Sequence, residues 1–357
     1  MRVVQWSTGN VGRHAIAGIA AHPDLELAGV WVSTSDKAGR DAGELAGIEP
    51  LGVTASTDTD ALLALEPDCV VYTAMADDRL TEALADLARF LRAGVNVVAS
   101  GPVFLQYPYG VVPDDIVAPI RAAAEEGGAS LWVNGIDPGF ANDWLPLVLT
   151  SVSQRIDSVR CLEILDYATY DNAKVLFDIM GFGRPLADTP TLLVPGVLSL
   201  AWGSVVRQLA AGLGVTLDAV EESATRLPTP ERLTIPAGVV EAGTTAALRF
   251  EVRGMAHGRA VCVLEHVTRL HPDLGPDWPR LPGQGGYRVE ITGEPNYTLD
   301  LSITGSDGDH NTGGLKATAM RLVNAVPSVV AAAPGLLTAL DLPLVTGKGL
   351  VAGTLPV

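Results

Sequence analysis

Cysteine is scarce in this chain of 357 residues, and no cysteine has a partner nearby in the sequence. Cys69, Cys161 and Cys262 stand alone inside apolar, strand-like runs, without a Cys-x-x-Cys spacing. An odd number of isolated cysteines argues against a disulfide framework and against a zinc site built on paired cysteines. We therefore expect small buried thiols in a reducing compartment, and a cytoplasmic location.

Positive charge is also in short supply. Lysine and arginine total 24 against 41 aspartates and glutamates, so the formal net charge is −17. Such a surface repels phosphate backbones and anionic lipid, which argues against nucleic acid and membrane surfaces as partners. The six histidines are dispersed, with no HxH or HExxH spacing, and we expect no metal centre.

Long uninterrupted apolar runs are missing as well. Two uncharged stretches, Thr189–Val206 and Leu322–Leu340, are broken by prolines and glycines. This pattern predicts buried helices and turns rather than membrane spans. The first residues lead directly into glycines, without the apolar run of a signal peptide.

The first 135 residues alternate between strand and helix patterns. Alternation of this kind predicts a doubly wound parallel sheet. The predicted strands are Arg2–Trp6, Glu26–Val32, Gly52–Ser56, Cys69–Thr73, Val95–Ser100 and Ser130–Asn134, and the predicted helices are Asn10–Ala21, Thr59–Leu65, Leu80–Ala93 and Asp114–Glu126.

After Asp137 the strands follow one another with few helices between them, which predicts an α+β domain with a mostly antiparallel sheet. The predicted strands here are Val159–Thr169, Ala246–Arg253, Ala260–Arg269, Tyr287–Thr292 and Tyr297–Ile303, and the helices are Asn172–Met180, Pro195–Gly212 and Gly314–Ala331. Leu270–Gly286, rich in proline and glycine, is expected to be a loop. We expect an α/β chain with a Rossmann domain over 1–136, completed by a C-terminal helix within 306–357, and a substrate and dimerisation domain over 137–305.

A glycine-rich turn directly after the first predicted strand is the sharpest motif. Ser7-Thr8-Gly9-Asn10-Val11-Gly12 is GxGxxG with serine in the first place, and it opens a helix. Glycine in the second place lets the backbone approach a pyrophosphate, and glycine in the third lets helix and strand pack closely. Free N–H groups and the helix dipole favour the anion. We expect all six residues to bind a dinucleotide.

The end of the second predicted strand distinguishes NAD from NADP. Ser33, Thr34 and Ser35 stand where an acidic residue would hold the ribose 2′-hydroxyl of NAD, and Lys37 lies nearby. Hydroxyls with a cation suit a 2′-phosphate, so NADP(H) is expected to be preferred, with NAD(H) as a second cofactor. The alternative is that Asp36 binds the ribose of NAD.

Two further turns follow predicted strands of the same sheet. Thr73 and Ala74 come after the fourth strand, and Ser100 comes after the fifth. Ligands of doubly wound sheets lie outside the carboxyl ends of the strands. We therefore expect these three residues beside the ribose and nicotinamide.

Several segments along nearly the whole chain resemble one known group of enzymes. They are Ser7–Gly12, Asn134–Phe140, Asp166–Tyr170, Ile179–Gly183, Gly243–Phe250, Leu322–Pro327 and Ala333–Gly335. The chain resembles dihydrodipicolinate reductases at its start, and over its length the 2,4-diaminopentanoate dehydrogenase and native amine dehydrogenase group, in its actinobacterial form. This resemblance implies NAD(P)H, a dimer, and reduction of an imine or reversible deamination of an amine.

The chain departs from these relatives in two places. No stretch resembles the HHxxxK segment that handles the dicarboxylate substrate of dihydrodipicolinate reductases, which argues against that reaction. The amine dehydrogenases carry a glutamate in the loop after strand five. Here the loop Gly101–Pro108 has no acid, and Val103 or Phe104 takes the place of the carboxylate.

A group that gives or takes a proton is still needed, because the cofactor supplies only the hydride. Tyr107 lies in the loop expected beside the nicotinamide, with the role of an aromatic anchor as the alternative. Asp137 leaves the last Rossmann strand in a turn before Pro138, where an Asx turn is the alternative. His310, in the loop before the C-terminal helix, is the third candidate; an exposed loop histidine is its alternative.

The substrate contacts are expected from aromatic residues. Phe104, Phe140 and Tyr170 are the candidates, and Asp166 is spaced to orient Tyr170. His266 alternates with apolar residues on a strand, as a sheet partner or a pocket group. With no arginine-rich clamp visible, we expect a small, largely apolar substrate.

Two classes of function remain open from the sequence. The first is an NAD(P)H-dependent oxidoreductase acting on C=N or CH–NH2 bonds, with ketone reduction as a variant. The second is a catalytically inactive NADP-binding sensor or scaffold. The absence of a carboxylate from the loop after strand five favours this alternative.

Overall fold

The computed structural model describes residues 1–76 and 79–352. Contacts between residues divide the chain into two compact units. The first consists of Met1–Ile136 together with the chain from Leu315 onwards, and the second is Asp137–Gly314. The second unit is therefore inserted into the first. No helix in the described part of the chain is long and apolar enough to cross a membrane.

The described residues form fifteen strands. In chain order they are β1 (Arg2–Trp6), β2 (Glu26–Trp31), β3 (Ala55–Ser56), β4 (Cys69–Tyr72), β5 (Asn96–Ala99), β6 (Ser130–Val133), β7 (Arg155–Asp166), β8 (Ala219–Pro228), β9 (Leu233–Ile235), β10 (Gly238–Val240), β11 (Thr245–Ala256), β12 (Arg259–Arg269), β13 (Gly285–Glu294), β14 (Tyr297–Leu301) and β15 (Gly335–Leu337).

Nine α-helices lie within the same described ranges. They are α1 (Asn10–Ala21), α2 (Ala42–Ala46), α3 (Thr59–Leu63), α4 (Leu80–Arg92), α5 (Asp114–Gly127), α6 (Trp144–Thr150), α7 (Val197–Ala201), α8 (Gly203–Gly212) and α9 (His310–Val330), with short 3₁₀ turns at Val103–Gln106 and Thr191–Leu193 and a π-helical segment at Lys174–Ile179.

The sheet of the first unit is parallel throughout, in the order β15-β6-β5-β4-β1-β2-β3. This is the strand order of a doubly wound nucleotide-binding sheet with one extra edge strand, so the predicted Rossmann architecture is confirmed. The carboxyl ends of β1, β4, β5 and β6 meet at one edge, because parallel neighbours all run the same way. The turns that follow these strands therefore lie side by side.

Helices cover both faces of this sheet. On one face, α4 and α5 bury Leu87, Phe90 and Ile120 in a core with β1, β4, β5 and β6. On the other, α1 packs with α9, whose Leu322 and Val326 are fully buried. The long C-terminal helix thus supplies part of the core of the N-terminal sheet.

The second unit holds a six-stranded sheet in the order β14-β13-β7-β12-β11-β8. Four of its five strand pairs are antiparallel, and β12 with β7 is parallel. The predicted, mostly antiparallel sheet is confirmed. One face packs on α7, α8 and the π-helical segment through a core that includes Leu176, Leu209, Phe250 and Val289.

The opposite face of this second sheet carries paired charges. Glu265 is 1% exposed in its side chain and accepts from Arg160 and from Arg249, whose Nε lies 2.7 Å away. Arg160 also donates to Glu251 at 2.8 Å. Along this face the ion pairs repeat from strand to strand, with Arg253–Glu221 and Arg288–Asp300 as further pairs.

Several details of the second unit differ from the sequence predictions. β8, α6 and the β9–β10 hairpin were not predicted. Pro195–Gly212 is two helices, α7 and α8, which meet at Trp202. α9 begins at His310 instead of Gly314, so His310 lies at a helix start and not in a loop. The cysteines are buried and unbridged, as predicted.

A buried arginine contacts three carbonyls of the proline- and glycine-rich loop after β12. Arg269 is buried and donates to the carbonyls of Leu274 at 2.8 Å, Gly275 at 3.2 Å and Pro279 at 3.0 Å. Its guanidinium also lies 5.8 Å from the ring centroid of Trp278. The loop therefore has a fixed path even though it contains no strand or helix.

Candidate functional site

The glycine-rich turn links β1 to α1 in a shape that only a few residue types accept. Ser7 adopts φ +82°, the left-handed region that favours glycine, and its N–H donates to the carbonyl of Trp31 at 3.0 Å. Trp31 in turn stacks on Trp6, with ring centroids 4.3 Å apart and planes 1° from parallel. The turn is thus fastened to the end of β2.

The start of α1 differs from the starts of its neighbours. Asp41 and Asp58 cap α2 and α3 with side-chain oxygens, whereas Gly9 precedes α1 without a capping side chain. No acidic residue stands in the first turn of α1. The positive end of this 12-residue helix is therefore not neutralised by a carboxylate of its own, which suits an anion.

The two glycines of the turn have different surroundings. A Cβ on Gly12 would lie 2.2 Å from the carbonyl oxygen of Ser7 and 2.9 Å from Oγ1 of Thr73. A Cβ on Gly9 would meet only Oγ of Ser7, at 3.9 Å. The fold therefore requires glycine at position 12, whereas position 9 has room for a side chain and its openness fits the close approach of a diphosphate.

Gln5, which the sequence reasoning missed, ties this turn to the end of β4. Its buried Nε2 donates to the carbonyl of Ser7 at 2.8 Å and to Oγ1 of Thr73 at 2.7 Å. Thr73 also donates to the carbonyl of Trp6 at 3.1 Å. A buried amide in an apolar strand beside a glycine turn was the signal available in the sequence.

The predicted ribose rim lies next to the turn within the first unit. Ser33, Thr34 and Ser35 are exposed, and Nζ of Lys37 donates to Oγ1 of Thr8 at 3.3 Å. The hydrogen bond from the Thr34 hydroxyl is the main cause that lowers the pKa of the exposed Asp36 carboxyl. The structure therefore brings the lysine, the hydroxyls and the glycine turn together.

The remaining predicted cofactor residues follow neighbouring strands. Thr73 and Ala74 lie after β4, and Ser100 after β5, with its N–H donating to the carbonyl of Tyr72 at 3.0 Å. These turns lie on the same edge of the sheet as Ser7–Gly12.

The two aromatic candidates in the loop after β5 differ in burial. Phe104 is 3% exposed and packs in the core of the first unit, which gives it a structural role there. Tyr107 is half-buried, and its ring meets that of Tyr109 edge to face with centroids 5.0 Å apart.

A buried triad of ionisable side chains lies in the second unit. Nε2 of His266 is 3.1 Å from Oδ1 of Asp137, and Nδ1 is 3.2 Å from Oε1 of Glu163. The three side chains are 3–6% exposed. Each ring nitrogen thus faces its own carboxylate, so the imidazole bridges two acids.

Neighbouring strands build the triad by their register. Phe250, His266, Glu163 and Tyr287 are successive partners across β11, β12, β7 and β13, so they form one row across the sheet. Asp137, from the segment that enters the unit, completes the triad at the other nitrogen of the ring.

Aromatic side chains enclose the triad. The ring of His266 stacks on Phe250 with centroids 4.6 Å apart, and meets Trp202 edge to face at 4.7 Å. Nε1 of Trp202 donates to Oδ1 of Asp137 at 3.0 Å, and the Tyr167 hydroxyl donates to Oε1 of Glu163 at 3.0 Å. Each carboxylate therefore receives one histidine and one aromatic donor on the same oxygen.

Burial and the two neighbouring carboxylates shift the pKa of His266 in opposite directions. Burial opposes the charged form of His266, but Asp137 and Glu163 outweigh it and raise the pKa of His266 to about 10. Burial raises the pKa of Glu163, with His266 acting against the rise. Burial also raises the pKa of Tyr167 and Tyr287. The triad is therefore expected to hold a protonated imidazole at neutral pH.

The other predicted residues of this unit have three different sets of neighbours. Tyr170 packs on Tyr167 with ring centroids 5.1 Å apart, which brings it beside the triad. Phe140 stacks on Trp144 at 5.7 Å. His310 is buried, its Nε2 lies against the carbonyl oxygen of Asp166 and its Nδ1 is 3.4 Å from Oε1 of Gln284. The Asp166 side chain accepts from the N–H of Ala168 and shapes the turn after β7.

A doubly wound parallel sheet with a glycine turn of this shape defines the first unit as a nucleotide-binding domain of the oxidoreductase type. The 2,4-diaminopentanoate dehydrogenase C-terminal domain matches residues 140–351, and the N-terminal domain of dihydrodipicolinate reductase matches residues 3–98. The chain belongs to the 2,4-diaminopentanoate dehydrogenase family. The resemblance inferred from the sequence is confirmed.

Two curated relatives span most of the chain. An "Amine dehydrogenase" of Streptomyces virginiae is 44% identical over 346 residues, which are 96% of each chain. A "2,4-diaminopentanoate dehydrogenase" of Acetoanaerobium sticklandii is 24% identical over 76% of this chain and 73% of its own.

Solved structures share the fold at lower identity. The amine dehydrogenase of Mycobacterium smegmatis is 22% identical with a TM-score of 0.78, covering 97% of both chains. GenD2 of gentamicin A biosynthesis, solved with NAD, is 19% identical with a TM-score of 0.55, covering 91% of this chain and 86% of its own.

Proposed function

We propose that this protein is an NAD(P)-dependent amine dehydrogenase that interconverts a primary amine with an imine, and through it a ketone and ammonia. The similarity to the Streptomyces virginiae enzyme, 44% over 96% of both chains, carries this proposal. The uncapped start of α1 and the open position above Gly9 support the dinucleotide.

The turns at the carboxyl ends of the strands in the first unit support this proposal. The N–H groups that follow Gly9 would hold the diphosphate, and Thr73 and Ser100 would line the ribose and nicotinamide. When bound, the nicotinamide accepts or gives the hydride. The protein would bind and orient the cofactor and the substrate, and it would also give or take the proton. Of the residues predicted for that proton transfer, Asp137 lies in a cluster of ionisable side chains. The roles of Tyr107 and His310 in catalysis stay predictions.

Purified protein should oxidise primary alkyl amines with NADP⁺ or NAD⁺ at alkaline pH and consume NAD(P)H with ketones and ammonia. Absorbance at 340 nm measures both. Ketone turnover without ammonia would instead support a ketone reductase. Cofactor binding with no turnover across aliphatic, aromatic and charged amines would support the sensor or scaffold. Faster turnover of charged substrates would contradict the expected apolar preference.

We propose NADP(H) as the preferred cofactor, because Lys37 and three exposed hydroxyls lie beside the turn. Lys37→Met should raise the KM for NADPH about tenfold or more while leaving that for NADH nearly unchanged, since a charge-assisted contact to phosphate is worth about 1.5–3 kcal/mol. Lys348→Met, at an exposed lysine far along the chain, is the matched control. A lower KM for NADH than for NADPH in the unaltered enzyme would assign the ribose to Asp36 instead.

We further propose a homodimer formed through the charged face of the second sheet. Alternating arginines and acids on adjacent strands offer a second copy a complementary pattern after a twofold rotation. Light scattering should give a dimer whose dissociation constant rises with salt. Arg288→Glu should shift it to the monomer, whereas Arg232→Glu, at the residue before β9 and outside this sheet, should not.

A further inference from the structure

The glycine turn after β1 lacks the first glycine of the GxGxxG pattern, and Ser7 stands in its place. Ser7 has φ +82°, in the left-handed region where a Cβ crowds the backbone and glycine does not. Within residues 1–76 and 79–352, the other non-glycine residues with positive φ are Glu66 and His257. Because serine does not favour this conformation by itself, contacts from the rest of the fold must hold it.

Both backbone polar groups of Ser7 have such contacts. Its N–H donates to the carbonyl of Trp31 at the end of β2, at 3.0 Å. Its carbonyl accepts from Nε2 of Gln5 at 2.8 Å. Gln5 lies on β1, two residues earlier, and its side chain is fully buried. One buried amide therefore determines the direction in which the Ser7 carbonyl points.

The partners of Gln5 fix the orientation of its amide. Besides Ser7, Nε2 donates to Oγ1 of Thr73 at 2.7 Å and lies 3.2 Å from the carbonyl oxygen of Trp6. Carbonyl oxygens only accept, so the nitrogen of the amide and not its oxygen must face them. The Thr73 hydroxyl gives its own hydrogen to the carbonyl of Trp6, at 3.1 Å, and accepts from Gln5. An apolar side chain of the same length could make none of these hydrogen bonds.

The direction of the Ser7 carbonyl also sets the direction of an N–H group. The carbonyl oxygen is enclosed between Gln5 and the first turn of α1, where a Cβ on Gly12 would lie 2.2 Å from it. The N–H of Thr8 belongs to the same planar peptide group and points the opposite way, away from Gln5. If this peptide group turned over, an oxygen would replace that N–H, and an oxygen repels an anion.

Resting on the proposed binding of a dinucleotide, we propose that Gln5 is a positioning residue of the diphosphate site. It compensates for the missing first glycine by holding the Ser7 carbonyl on the buried side, so that the N–H of Thr8 is presented to the diphosphate. Gln5 acts through Ser7 and not through contact with the cofactor. The diphosphate is common to NADP and NAD, so Gln5 serves both alike, in contrast to Lys37.

Gln5→Met keeps the length of the side chain and removes its donors. It should raise the Kd for NADP⁺ and for NAD⁺ by the same factor, about tenfold, in calorimetric titrations. When Ser7→Gly is already present, Gln5→Met should raise both Kd values less than about twofold, because glycine adopts the left-handed conformation without support. A general loosening of β1 would instead weaken binding equally with serine and with glycine at position 7.

Gln5→Glu makes the same contact depend on pH. The introduced carboxyl can donate to the Ser7 carbonyl while it is neutral, a form that burial favours, and cannot donate once it is ionised. The Kd for NADP⁺ is compared with that of the unaltered protein at the same pH, which cancels the titration of the ligand's own phosphate. This ratio should increase about fivefold or more between about pH 5.5 and about pH 8.5.

Gln208→Met is the matched control, because it removes an equally buried amide from the second unit, where Nε2 donates to Oδ2 of Asp143 at 3.2 Å. Both Kd values should stay within about twofold, even if the protein unfolds at a lower temperature.

Three results would overturn the assignment to Gln5 while dinucleotide binding stands. They are an unchanged Kd in Gln5→Met, a loss confined to one of the two cofactors, and equal losses with serine and with glycine at position 7. An unaltered protein that binds neither cofactor would overturn both proposals. Should Gln5→Met unfold, Gln5→Glu is compared with serine and with glycine at position 7, and equal losses or a ratio that does not change with pH contradict the proposal.

Discussion

Gly9 and Gly12 lie three residues apart in one turn, yet only Gly12 is required by the packing of the chain. The carbonyl of Ser7 and the hydroxyl of Thr73 close the space around its Cα. Around Gly9 that space is open. Substitution by alanine should therefore separate the stability of the fold from the binding of its ligand.

Gly12→Ala should lower the free energy of unfolding by about 1–3 kcal/mol, because the added methyl group overpacks the turn. Gly9→Ala should leave it unchanged or slightly higher, since alanine restricts the unfolded chain. The same Gly9→Ala substitution should weaken NADP(H) binding by at least tenfold. Thermal unfolding and calorimetric titration measure the two effects. Equal destabilisation by both substitutions would contradict this difference.

His266 should make the stability of the fold depend on pH. Its pKa is raised to about 10 from an unfolded value near 6.5, so the folded state keeps a proton that the unfolded state loses. This contribution is complete below about pH 6.5 and is lost as pH rises towards 10. The raised pKa of Glu163 acts in the same direction.

Urea unfolding between pH 7 and 8.5 tests this, below the range in which unfolded cysteines ionise fully. The free energy of unfolding should fall by up to about 1.4 kcal/mol per pH unit, and His266→Gln should flatten the slope. Parallel slopes for both proteins would show that the imidazole is neutral in the fold.

Single residues of the site were predictable where they belong to a recognisable local sequence motif. The glycine turn is recognisable from six successive letters, and Asp137 from the turn that ends the last Rossmann strand. Glu163 and Trp202 were missed because they reach Asp137 and His266 only through strand register and helix packing. The available signal was an acid in Leu162-Glu163-Ile164, where the strand is otherwise apolar.

Among the elements, the loop after β12 depends on Arg269 more than on its own residues. Arg269→Lys cannot reach three carbonyls at once, since an ammonium lacks the planar fork of a guanidinium. The substitution should cost about 2–3 kcal/mol of unfolding free energy. Limited proteolysis should then cut within residues 270–284. Cleavage of this segment at the rate of the unaltered protein would contradict the role of Arg269.

The elements that were predicted are those with a clear apolar period. β1, β4 and α4 have it, whereas β8 is an edge strand whose sequence, Ala219-Val-Glu-Glu-Ser-Ala-Thr, is mostly polar. β15 is only three residues long, and it is a strand because it pairs with β6, which the local sequence does not reveal. The start of α9 was placed too late because Gly313 and Gly314 look like a helix boundary. Gly313 instead packs against the backbone of Thr304, where a Cβ would lie 2.7 Å away.

For the whole molecule, the insertion of one unit into the other determines which fragments can fold. The first unit needs the chain from Leu315 onwards, because Ala319, Leu322, Val323 and Val326 are fully buried in its core. Each such valine or leucine contributes about 1.5–3 kcal/mol. The second unit is continuous in sequence.

A fragment of residues 1–136 should therefore remain unfolded and fail to bind NADPH. Joining it to residues 315–352 through a short linker should restore both properties, since the N–H of Ile136 and Oγ1 of Thr318 are 3.2 Å apart. Residues 137–314 should fold alone. Circular dichroism and NADPH fluorescence measure these outcomes, and a folded 1–136 fragment would contradict the dependence on α9.

The parallel stack of Trp6 and Trp31 beside the turn also provides an intrinsic optical probe. Two indoles this close couple their electronic transitions, so they should produce a paired positive and negative band in the ultraviolet dichroism spectrum. The backbone of Trp31 holds the amide of Ser7, which links that signal to the geometry of the first βα connection. Occupancy of the nucleotide site should therefore be visible in the protein's own spectrum, without a label.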